Sequence, residues 1–417
     1  MSKQISPFYY QGEMSSNASK SYLQRALLIS ALAKGESILF NFQTNNDSLA
    51  VMKCLESIGT QFHFLNESIL EIIPPKKIEI SKLEIHVGES GLALRMLGTV
   101  LAILIDDLTI KGENTLLKRD QKALIKQWKQ LGFVVEHNKN KLPIRKTGIV
   151  NIHKIKVDAS ETSQILTGLL IALPFLKDIE IEASTIASKP YIDMTLDCMR
   201  QFNVMLNAFS NSFQYTQLKK YVGINYFIEC DWSGVANHVV GAGISGKVLI
   251  KNVHYPSKQA DAKIIDIVKG IGISVSFAEN TLLIEKGKHL NPFEVDITDC
   301  PDLFPILIIL ALACNGTSHI HGTNRLVNKE SNRLQAMTQI LDKLKTPYET
   351  VENSITIEHL NTLNSEIVVE SKNDHRIAMA GSLLALFGLN VIIDNENCVS
   401  KSYPNFFNDL NIIRQEK

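Results

Sequence analysis

The feature of this 417-residue chain that most constrains its fold is an internal repeat of about seventy residues. An apolar helix that opens with small, polar or charged residues recurs at Ser19-Lys20, Ser90-Gly91, Thr162-Ser163, Ser233-Gly234, Pro301-Asp302 and Asp374-His375. Counted from residues 19, 90, 162, 233, 302 and 374, the steps are 71, 72, 71, 69 and 72. Helices that are apolar on nearly every face belong in an interior. The spacing therefore predicts six copies of one supersecondary unit.

A second marker agrees with this period. Amphipathic helices end and strand-like runs follow at Ile58-Gly59, Leu131-Gly132, Phe202-Asn203, Ile271-Gly272 and Leu344-Lys345. Gly and Asn accept the left-handed backbone that closes a helix, and Lys345 departs from that pattern. One such unit cannot bury its apolar face alone, so we expect three units to cluster in each domain. The predicted fold is α/β (α+β), with two domains of buried helices and short mixed strands.

The composition excludes several classes of protein. Lys plus Arg and Asp plus Glu both number 43, so the chain lacks the basic excess of a nucleic-acid or membrane-surface protein. The N-terminal residues contain no apolar signal segment, and no apolar run reaches the ~20 residues that span a bilayer. The six cysteines are scattered without a CxxC pair, which indicates neither a zinc site nor a disulfide framework. We therefore expect a cytoplasmic protein without a bound metal.

Cationic side chains accompany the helix openings. Helix N-termini carry free N–H donors, and neighbouring Arg and Lys side chains bind phosphate and carboxylate groups. The cations near these openings are Lys20, Arg25, Arg95, Lys329, Arg333, Arg376 and Lys401. Their repeated placement predicts a phosphorylated or carboxylated small-molecule ligand.

The same segments resemble the signatures of a known family. The motifs are Ser19-Lys20-Ser21-x-x-x-Arg25, Gly88-Glu89-Ser90-Gly91-Leu92-Ala93-Leu94-Arg95, Ser188-Lys189-Pro190-Tyr191-Ile192-Asp193, Lys329-Glu330-Ser331-x-Arg333, Asn373-Asp374-His375-Arg376 and Lys401-Ser402-Tyr403-Pro404, with Arg119 after Gly112-Glu113. Together, in this order across residues 17 to 407, they are similar to those of the EPSP synthases, which are enolpyruvyl transferases. Each motif alone is weak, but seven in order are specific.

The resemblance implies a fold, a reaction and a set of partners. It implies two domains of three units each, domain I from residues 1–17 plus 234–417 and domain II from residues 18–233, with the active site in the interdomain cleft. The implied reaction moves the enolpyruvyl group of phosphoenolpyruvate to the 5-hydroxyl of shikimate 3-phosphate through a tetrahedral intermediate. No metal or organic cofactor is implied. The expected partners are these two substrates, without nucleic acid or membrane, and the expected state is a monomer.

The resemblance also assigns site residues. Asp302 matches the base that takes the hydroxyl proton, Glu330 matches the donor of a proton to the methylene carbon, and Lys20 can share that second role. The residues implied around phosphoenolpyruvate are Lys20, Gly91, Arg119, Gln164, Arg333, Arg376 and Lys401. Those implied around shikimate 3-phosphate are Lys20, Ser21, Arg25, Thr162, Ser163, Gln164, Ser188, Tyr191, Asp302 and Lys329. Tyr191 either bounds the carbocycle or is a core tyrosine.

Two alternatives remain open at this point. The related UDP-N-acetylglucosamine enolpyruvyl transferases carry a cysteine in a mobile loop, whereas the corresponding residues 114–122 here contain none. A non-catalytic anion-binding relative is disfavoured because both Asp302 and Glu330 are present, although Ala18, Glu89 and Leu92 depart from the usual motifs.

A glycine pattern in the fourth unit could suggest a dinucleotide site. Gly241, Gly243 and Gly246 spell a literal GxGxxG. That motif binds dinucleotides only where it follows a strand and opens a helix. We expect this one to follow a helix and lead into a strand.

Overall fold

A computed structural model describes residues 1–176, 179–217, 219–327, 329–360 and 365–416. The chain divides into two compact units, unit 1 with Met1–Asn17 and Glu229–Lys417, and unit 2 with Ala18–Ile228. The sequence placed the second crossing between residues 233 and 234, which lie inside a helix. That helix begins earlier because Asp231 is its N-cap and accepts hydrogen bonds from the Ser233 and Gly234 N–H groups. The division between the units falls between Ile228 and Glu229.

The first segment of unit 1 and the whole of unit 2 contain the following elements. The strands are β1 Lys3–Ile5, β2 Phe8–Ser15, β3 Ser37–Phe40, β4 Gln61–Asn66, β5 Ile69–Ile73, β6 Lys82–His86, β7 Asp107–Lys111, β8 Val134–Asn138, β9 Lys141–Thr147, β10 Lys154–Ala159, β11 Glu180–Ile186, β12 Asn207–Phe209, β13 Ser212–Gln214 and β14 Asn225–Phe227. The helices are α1 Lys20–Ala31, α2 Asn46–Glu56, α3 Gly98–Leu104, α4 Asn114–Lys118, α5 Lys122–Gln130, α6 Gln164–Ala172 and α7 Lys189–Gln201, with a π-helical turn Ala93–Leu97 before α3 and a 3₁₀ turn Leu173–Phe175 after α6.

The second segment of unit 1 continues the same numbering. Its strands are β15 Lys247–Lys251, β16 Ser274–Ala278, β17 Thr281–Glu285, β18 Glu294–Asp296, β19 Ser318–His321, β20 Tyr348–Val351, β21 Ser354–Ile357, β22 Glu366–Val369, β23 Asn390–Ile393 and β24 Arg414–Glu416. Its helices are α8 Trp232–Ser245, α9 Ile264–Gly270, α10 Phe304–Ala313, α11 Arg333–Leu344, α12 His375–Ser382 and α13 Phe406–Ile413. Its 3₁₀ turns are Ala260–Lys263, Pro301–Leu303, Thr323–Leu326, Leu383–Phe387 and Glu396–Lys401.

The repeat is visible in the sheets. The strands of the described residues form six sheets, in the orders β14-β3-β5-β4, β6-β7-β9-β8, β10-β11-β13-β12, β16-β17-β15-β2-β24, β18-β19-β21-β20 and β1-β23-β22. In each sheet one pair of neighbouring strands is parallel, and one strand of that pair also pairs antiparallel with a further strand. The first three sheets belong to unit 2 and the other three to unit 1, and each unit has its own hydrophobic core. The predicted mixed α/β class is confirmed.

The buried helices lie where the first marker placed them. Parallel strands need a crossover connection, and α3, α6, α10 and α12 are the crossovers of four of the parallel pairs. In α10 every residue except the last is buried, because Phe304–Ala313 has no polar face to expose. The helix opening expected at Ser233 comes two residues earlier, where Asp231 caps α8.

The second marker, the residue that follows each amphipathic helix, has a left-handed backbone conformation. Gly59, Gly132, Asn203 and Gly272 have φ angles of 95°, 95°, 69° and 103°. Lys345, which broke the residue pattern, has a φ of 55° and is the C-cap of α11. The geometry of the repeat is therefore kept even where the residue that favours it is not.

The glycines of the GxGxxG sequence serve packing. Gly241 and Gly243 lie within α8, and Gly246 ends it directly before β15. A Cβ atom at Gly241 would lie 2.4 Å from the Tyr10 ring, and one at Gly246 would lie 1.9 Å from the Tyr10 carbonyl oxygen. The prediction that this motif follows a helix and leads into a strand is confirmed. No helix in the described part of the chain has both the length and the apolar character needed to cross a bilayer.

Candidate active site

Arg333 is the centre of a buried charged cluster in unit 1. It is the first residue of α11, its side chain is fully buried, and its guanidinium contacts three carboxylates. Nη1 lies 2.5 Å from Asp302 Oδ1, Nη2 lies 2.7 Å from Glu330 Oε2, and Nε lies 2.9 Å from Asp374 Oδ2. Burial alone would lower the pKa of Arg333, but Asp374, Glu330 and Asp302 raise it well above its ordinary value. The guanidinium is therefore a permanent charge that orders three carboxylates.

Asp302 has two further cationic partners. It lies in the 3₁₀ turn that precedes α10, with Arg376 Nη2 3.0 Å from Oδ2 and Lys329 Nζ 3.5 Å from Oδ1. Burial alone would raise its pKa, but Arg376, Lys329 and Arg333 outweigh burial and hold the pKa well below its ordinary value. Asp302 is consequently an ionised carboxylate whose basicity depends on where those three cations point.

The start of α12 supplies the opposite side of this cluster. Asp374 is the N-cap, and its Oδ1 accepts a hydrogen bond from the Arg376 N–H at 3.0 Å. Because the cap fixes the first turn, it also fixes the Arg376 side chain beside Asp302. Lys401 approaches the same helix start, since its Nζ donates to the Asn373 carbonyl oxygen at 2.9 Å.

A second buried carboxyl lies near this cluster. Asp261 is 2% exposed and accepts a short hydrogen bond from the Ser233 hydroxyl. Burial and then repulsion from Asp302 raise the pKa of Asp261 to about 6, while Arg376 opposes the shift. This group was not predicted from the sequence. It lies in the 3₁₀ turn Ala260–Lys263 before α9, outside the recognised motifs and outside the six helix openings of the repeat.

In unit 2 the predicted residues form another group around Gly91. A Cβ atom at Gly91 would lie 3.0 Å from Arg95 Nη1 and 3.2 Å from Arg119 Nη1, so both guanidinium groups reach this glycine. Arg95 also donates to Gln164 Oε1 at 3.0 Å. Thr162 belongs to the same group, because its hydroxyl oxygen accepts a hydrogen bond from the Gln164 N–H at 3.2 Å. Ser163, between them, is the buried N-cap of α6.

Glu89 adds a carboxylate to this group. Its Oε2 accepts a hydrogen bond from the Thr115 hydroxyl at 2.6 Å, and the same hydroxyl oxygen accepts one from Arg119 Nη2 at 3.4 Å. Glu89, a departure from the family motif, therefore contacts the short helix α4 whose C-cap is Arg119.

The remaining predicted residues of unit 2 surround the start of α1. Arg25 is 1% exposed, and it donates from Nη1 to the Ser21 carbonyl oxygen at 2.8 Å and from Nη2 to the Tyr191 carbonyl oxygen at 3.1 Å. Its Nε donates to Thr195 Oγ1 at 2.9 Å, so the helices α1 and α7 are joined through this guanidinium. Tyr191 is half-buried, which does not fit a fully enclosed core position.

Two more predicted residues lie at helix starts in unit 2. Ser188 is the N-cap of α7 and has a left-handed backbone with a φ of 54°. Lys20, the first residue of α1, forms an ion pair with Asp47 at 3.3 Å. Asp47 was not singled out in the sequence, although its place in the first turn of α2 gives a helix-terminal carboxylate.

The predicted site residues are thus divided between the two units. Unit 1 brings together Asp302, Lys329, Glu330, Arg333 and Arg376, with Lys401 at the start of α12. Unit 2 holds Lys20, Ser21, Arg25, Gly91, Arg119, Thr162, Ser163, Gln164, Ser188 and Tyr191. Among the described residues, no group of three or more His, Cys, Asp or Glu side chains is arranged to hold a metal ion.

Solved structures share this fold. An EPSP synthase from Acinetobacter baumannii matches with a TM-score of 0.82 and 22% identity, over 99% of each chain. The enolpyruvyl transferase NikO from Streptomyces tendae matches with a TM-score of 0.74 and 11% identity, over 98% of this chain and 96% of that one. The chain therefore has the two-domain fold of the enolpyruvyl transferases.

Sequence comparison identifies the family within the enolpyruvyl transferases. A sequence model of the family described as EPSP synthase (3-phosphoshikimate 1-carboxyvinyltransferase) matches residues 6–410. A 3-phosphoshikimate 1-carboxyvinyltransferase from Clostridium botulinum (strain Alaska E43) is 31% identical over 415 residues, which cover 97% of this chain and 95% of that protein. The chain belongs to the EPSP synthase family.

Proposed function

We propose that this chain transfers the enolpyruvyl group of phosphoenolpyruvate to the 5-hydroxyl of shikimate 3-phosphate, with release of phosphate. Family membership gives the reaction. The observation in the structure that carries the proposal is Asp302, an ionised carboxylate held by Arg376, Lys329 and Arg333. This arrangement supplies a base and the cations for two anionic substrates in one place.

Asp302 takes the proton of the 5-hydroxyl as its oxygen attacks C2 of phosphoenolpyruvate. In the absence of substrate, the three cations hold the pKa of Asp302 low, which makes it a weak base. A substrate phosphate or carboxylate that draws Arg376 and Lys329 toward itself removes positive charge from Asp302. Substrate binding therefore raises the basicity of Asp302 at the moment when a base is required.

The methylene carbon C3 gains a proton in the same step, which gives a tetrahedral intermediate. Glu330 in its protonated form delivers this proton and is left as the carboxylate, which Arg333 holds through the 2.7 Å contact. Lys20, which pairs with Asp47, is the second donor that the sequence leaves open. In the following step the Glu330 carboxylate takes a proton back from C3 as the C2–O bond to phosphate breaks. The phosphate leaves with the proton that Asp302 had accepted, and the enolpyruvyl ether is released.

The two substrates are held by the residues that match the family motifs. Lys20, Gly91, Arg119, Gln164, Arg333, Arg376 and Lys401 surround phosphoenolpyruvate in this proposal. Lys20, Ser21, Arg25, Thr162, Ser163, Gln164, Ser188, Tyr191, Asp302 and Lys329 surround shikimate 3-phosphate. The support for Gly91 is geometric, because two guanidinium groups approach its Cα and a side chain there would displace them. Both units thus contribute side chains to the reaction.

The proposed steps use side chains of the chain alone, without a metal or organic cofactor. We propose that the chain acts as a monomer, on the resemblance to the family. We propose the cytoplasm as its compartment, supported by six cysteines that are all buried free thiols.

Phosphate release tests the proposed function. The purified chain is mixed with phosphoenolpyruvate and either shikimate 3-phosphate or UDP-N-acetylglucosamine, and released phosphate is measured. We expect release with shikimate 3-phosphate alone. Release with UDP-N-acetylglucosamine alone would assign the chain to the other transferase reaction, and release with neither would leave a binding protein.

A further inference from the structure

The arginine pair of unit 2 is supported by a glutamine outside the recognised motifs. Gln121 is 1% exposed, and its Oε1 accepts a hydrogen bond from Arg95 Nη2 at 3.0 Å. Its Nε2 donates to the carbonyl oxygen of Arg119 at 3.3 Å. One amide group therefore fixes the guanidinium of one arginine and the main chain that carries the other.

Gln121 is itself firmly placed. Its N–H donates to the Asn140 carbonyl oxygen at 2.8 Å, and its carbonyl oxygen accepts a hydrogen bond from the Ile125 N–H at 3.0 Å. The first of these bonds ties it to the β8–β9 turn and the second to the first turn of α5. A buried amide with both backbone groups bonded has little freedom to turn, so its oxygen is a fixed acceptor.

The surroundings of Gly91 indicate an anion. Arg95 Nη1 and Arg119 Nη1 both approach the position of a Cβ atom on Gly91, and two like charges brought near one point repel each other. In addition, the Arg119 Nε atom is buried and has no hydrogen-bond partner among the described residues. An unsatisfied buried donor beside two converging cations is explained by a negatively charged ligand that completes the site.

Two of the groups that orient Arg95 are uncharged amides. Gln164 Oε1 accepts from its Nη1, and Gln121 Oε1 accepts from its Nη2, each at 3.0 Å. Neutral amide oxygens direct a guanidinium without cancelling its charge. These two glutamines thus orient Arg95 without adding negative charge beside it.

We propose that Gln121 is a positioning residue for phosphoenolpyruvate, which holds Arg95 so that Arg95 and Arg119 bind the same anion. This inference rests on the proposed function, which places phosphoenolpyruvate at Gly91 and Arg119. Gln121 does not touch the substrate; it acts through Arg95.

A double-mutant cycle tests this role. Gln121→Met preserves the length of the side chain and removes both hydrogen bonds, and it is made alone and together with Arg95→Met. Gln127→Met is the matched control, because Gln127 is a second buried glutamine on α5 and donates to the Lys156 carbonyl oxygen, away from the arginine pair. The KM of each substrate, kcat and the melting temperature with increasing phosphoenolpyruvate are measured for every variant.

We expect Gln121→Met to raise the KM for phosphoenolpyruvate about tenfold, as the loss of a hydrogen bond to a charged group does. The KM for shikimate 3-phosphate should stay within about twofold, and Gln127→Met should change neither. In the Arg95→Met background the effect of Gln121→Met should vanish, because the residue it positions is gone.

Three results would overturn the inference. They are an unchanged KM for phosphoenolpyruvate, an equal rise in both KM values, and a full effect of Gln121→Met in the Arg95→Met background. Absence of turnover in the unmodified chain would contradict the proposed function instead. The role of Gln121 would then be decided by thermal unfolding at increasing phosphoenolpyruvate concentration. The concentration needed to raise the melting temperature should be about tenfold higher for Gln121→Met than for the unmodified chain.

Discussion

Replacement of Arg333 by methionine should destabilise the protein strongly at neutral pH. The side chain is fully buried, and its loss would leave Asp302, Glu330 and Asp374 without the guanidinium that joins them. Removal of one partner from a buried ion pair costs about 3–5 kcal/mol, because the remaining charge keeps its burial penalty. We expect a loss of that size in the free energy of unfolding at pH 7.5, measured by urea denaturation and circular dichroism.

The chain provides a matched control in Arg145→Met. Arg145 also binds a carboxylate through two nitrogens, with Nε and Nη2 both 2.9 Å from the Asp107 oxygens, but its side chain is 40% exposed. Exposed pairs of this kind contribute little to stability, because water and salt screen them. The two substitutions therefore remove similar contacts and differ in burial.

The loss of unfolding free energy in Arg333→Met should depend on pH, and the direction follows from the pKa of Asp302. The folded pKa of Asp302 is depressed, so its stabilising effect is present above the unfolded pKa of about 3.9 and is lost as the pH falls toward the folded value. In the variant the three carboxylates have lost one cation, so they take up protons at a higher pH than in the unmodified chain. The difference in stability between variant and unmodified chain should therefore shrink between pH 7.5 and 4.5. A loss no larger than that of Arg145→Met, or one that grows on acidification, would refute this reasoning.

The remaining predictions concern turnover, a buried acid and a strained helix end. Asp302→Asn and Glu330→Gln should each lower kcat by about 10²–10⁴-fold, with a dissociation constant for each substrate within a few-fold of normal; near-normal turnover in either would mean a wrong assignment. The pKa of Asp261 is raised to about 6, so its stabilising effect is complete below about pH 4 and is lost as the pH rises through 6. Asp261→Asn should therefore stabilise the protein by up to about 3 kcal/mol at pH 8 and by little at pH 4. An equal effect at both pH values would exclude ionisation as the cause. Lys345→Gly should stabilise the protein by about 1 kcal/mol, because φ at this position is 55°. Asn203→Gly should change the stability by only about a few tenths of a kcal/mol, since Asn tolerates a φ above zero. Equal effects of the two substitutions in thermal unfolding would contradict this account.

The sequence predicted the repeat because the periodic helix openings and helix ends are local properties. Lys345 shows the limit of this reasoning. Its residue type breaks the pattern, yet the tertiary structure imposes the same left-handed backbone that Gly132 adopts by preference. The start of α8 shows the same limit, since Asp231 and Ser233 are both good caps and only the hydrogen bonds of Asp231 show which one begins the helix.

The candidate site was predictable where charge coincides with a helix start. Asp302, Arg333 and Arg376 all lie at such starts, and the contacts among them follow from the folding of unit 1. Gln121 caps α5 but carries no charge, and Asp261 lies in a 3₁₀ turn that is not one of the six openings of the repeat. Neither belongs to a motif, and each gains its role from residues far away in the chain. Gln121 meets Arg95 across 26 positions, and Asp261 meets the Ser233 hydroxyl across 28.

The most direct test of the account is the value of kcat/KM for phosphoenolpyruvate in one variant from each unit. Phosphate release with saturating shikimate 3-phosphate is measured for the unmodified chain, for Asp302→Asn of unit 1 and for Arg119→Met of unit 2. The account predicts that each substitution lowers kcat/KM by about 100-fold or more, because both units contribute side chains to the reaction. A normal kcat/KM in either variant would contradict it.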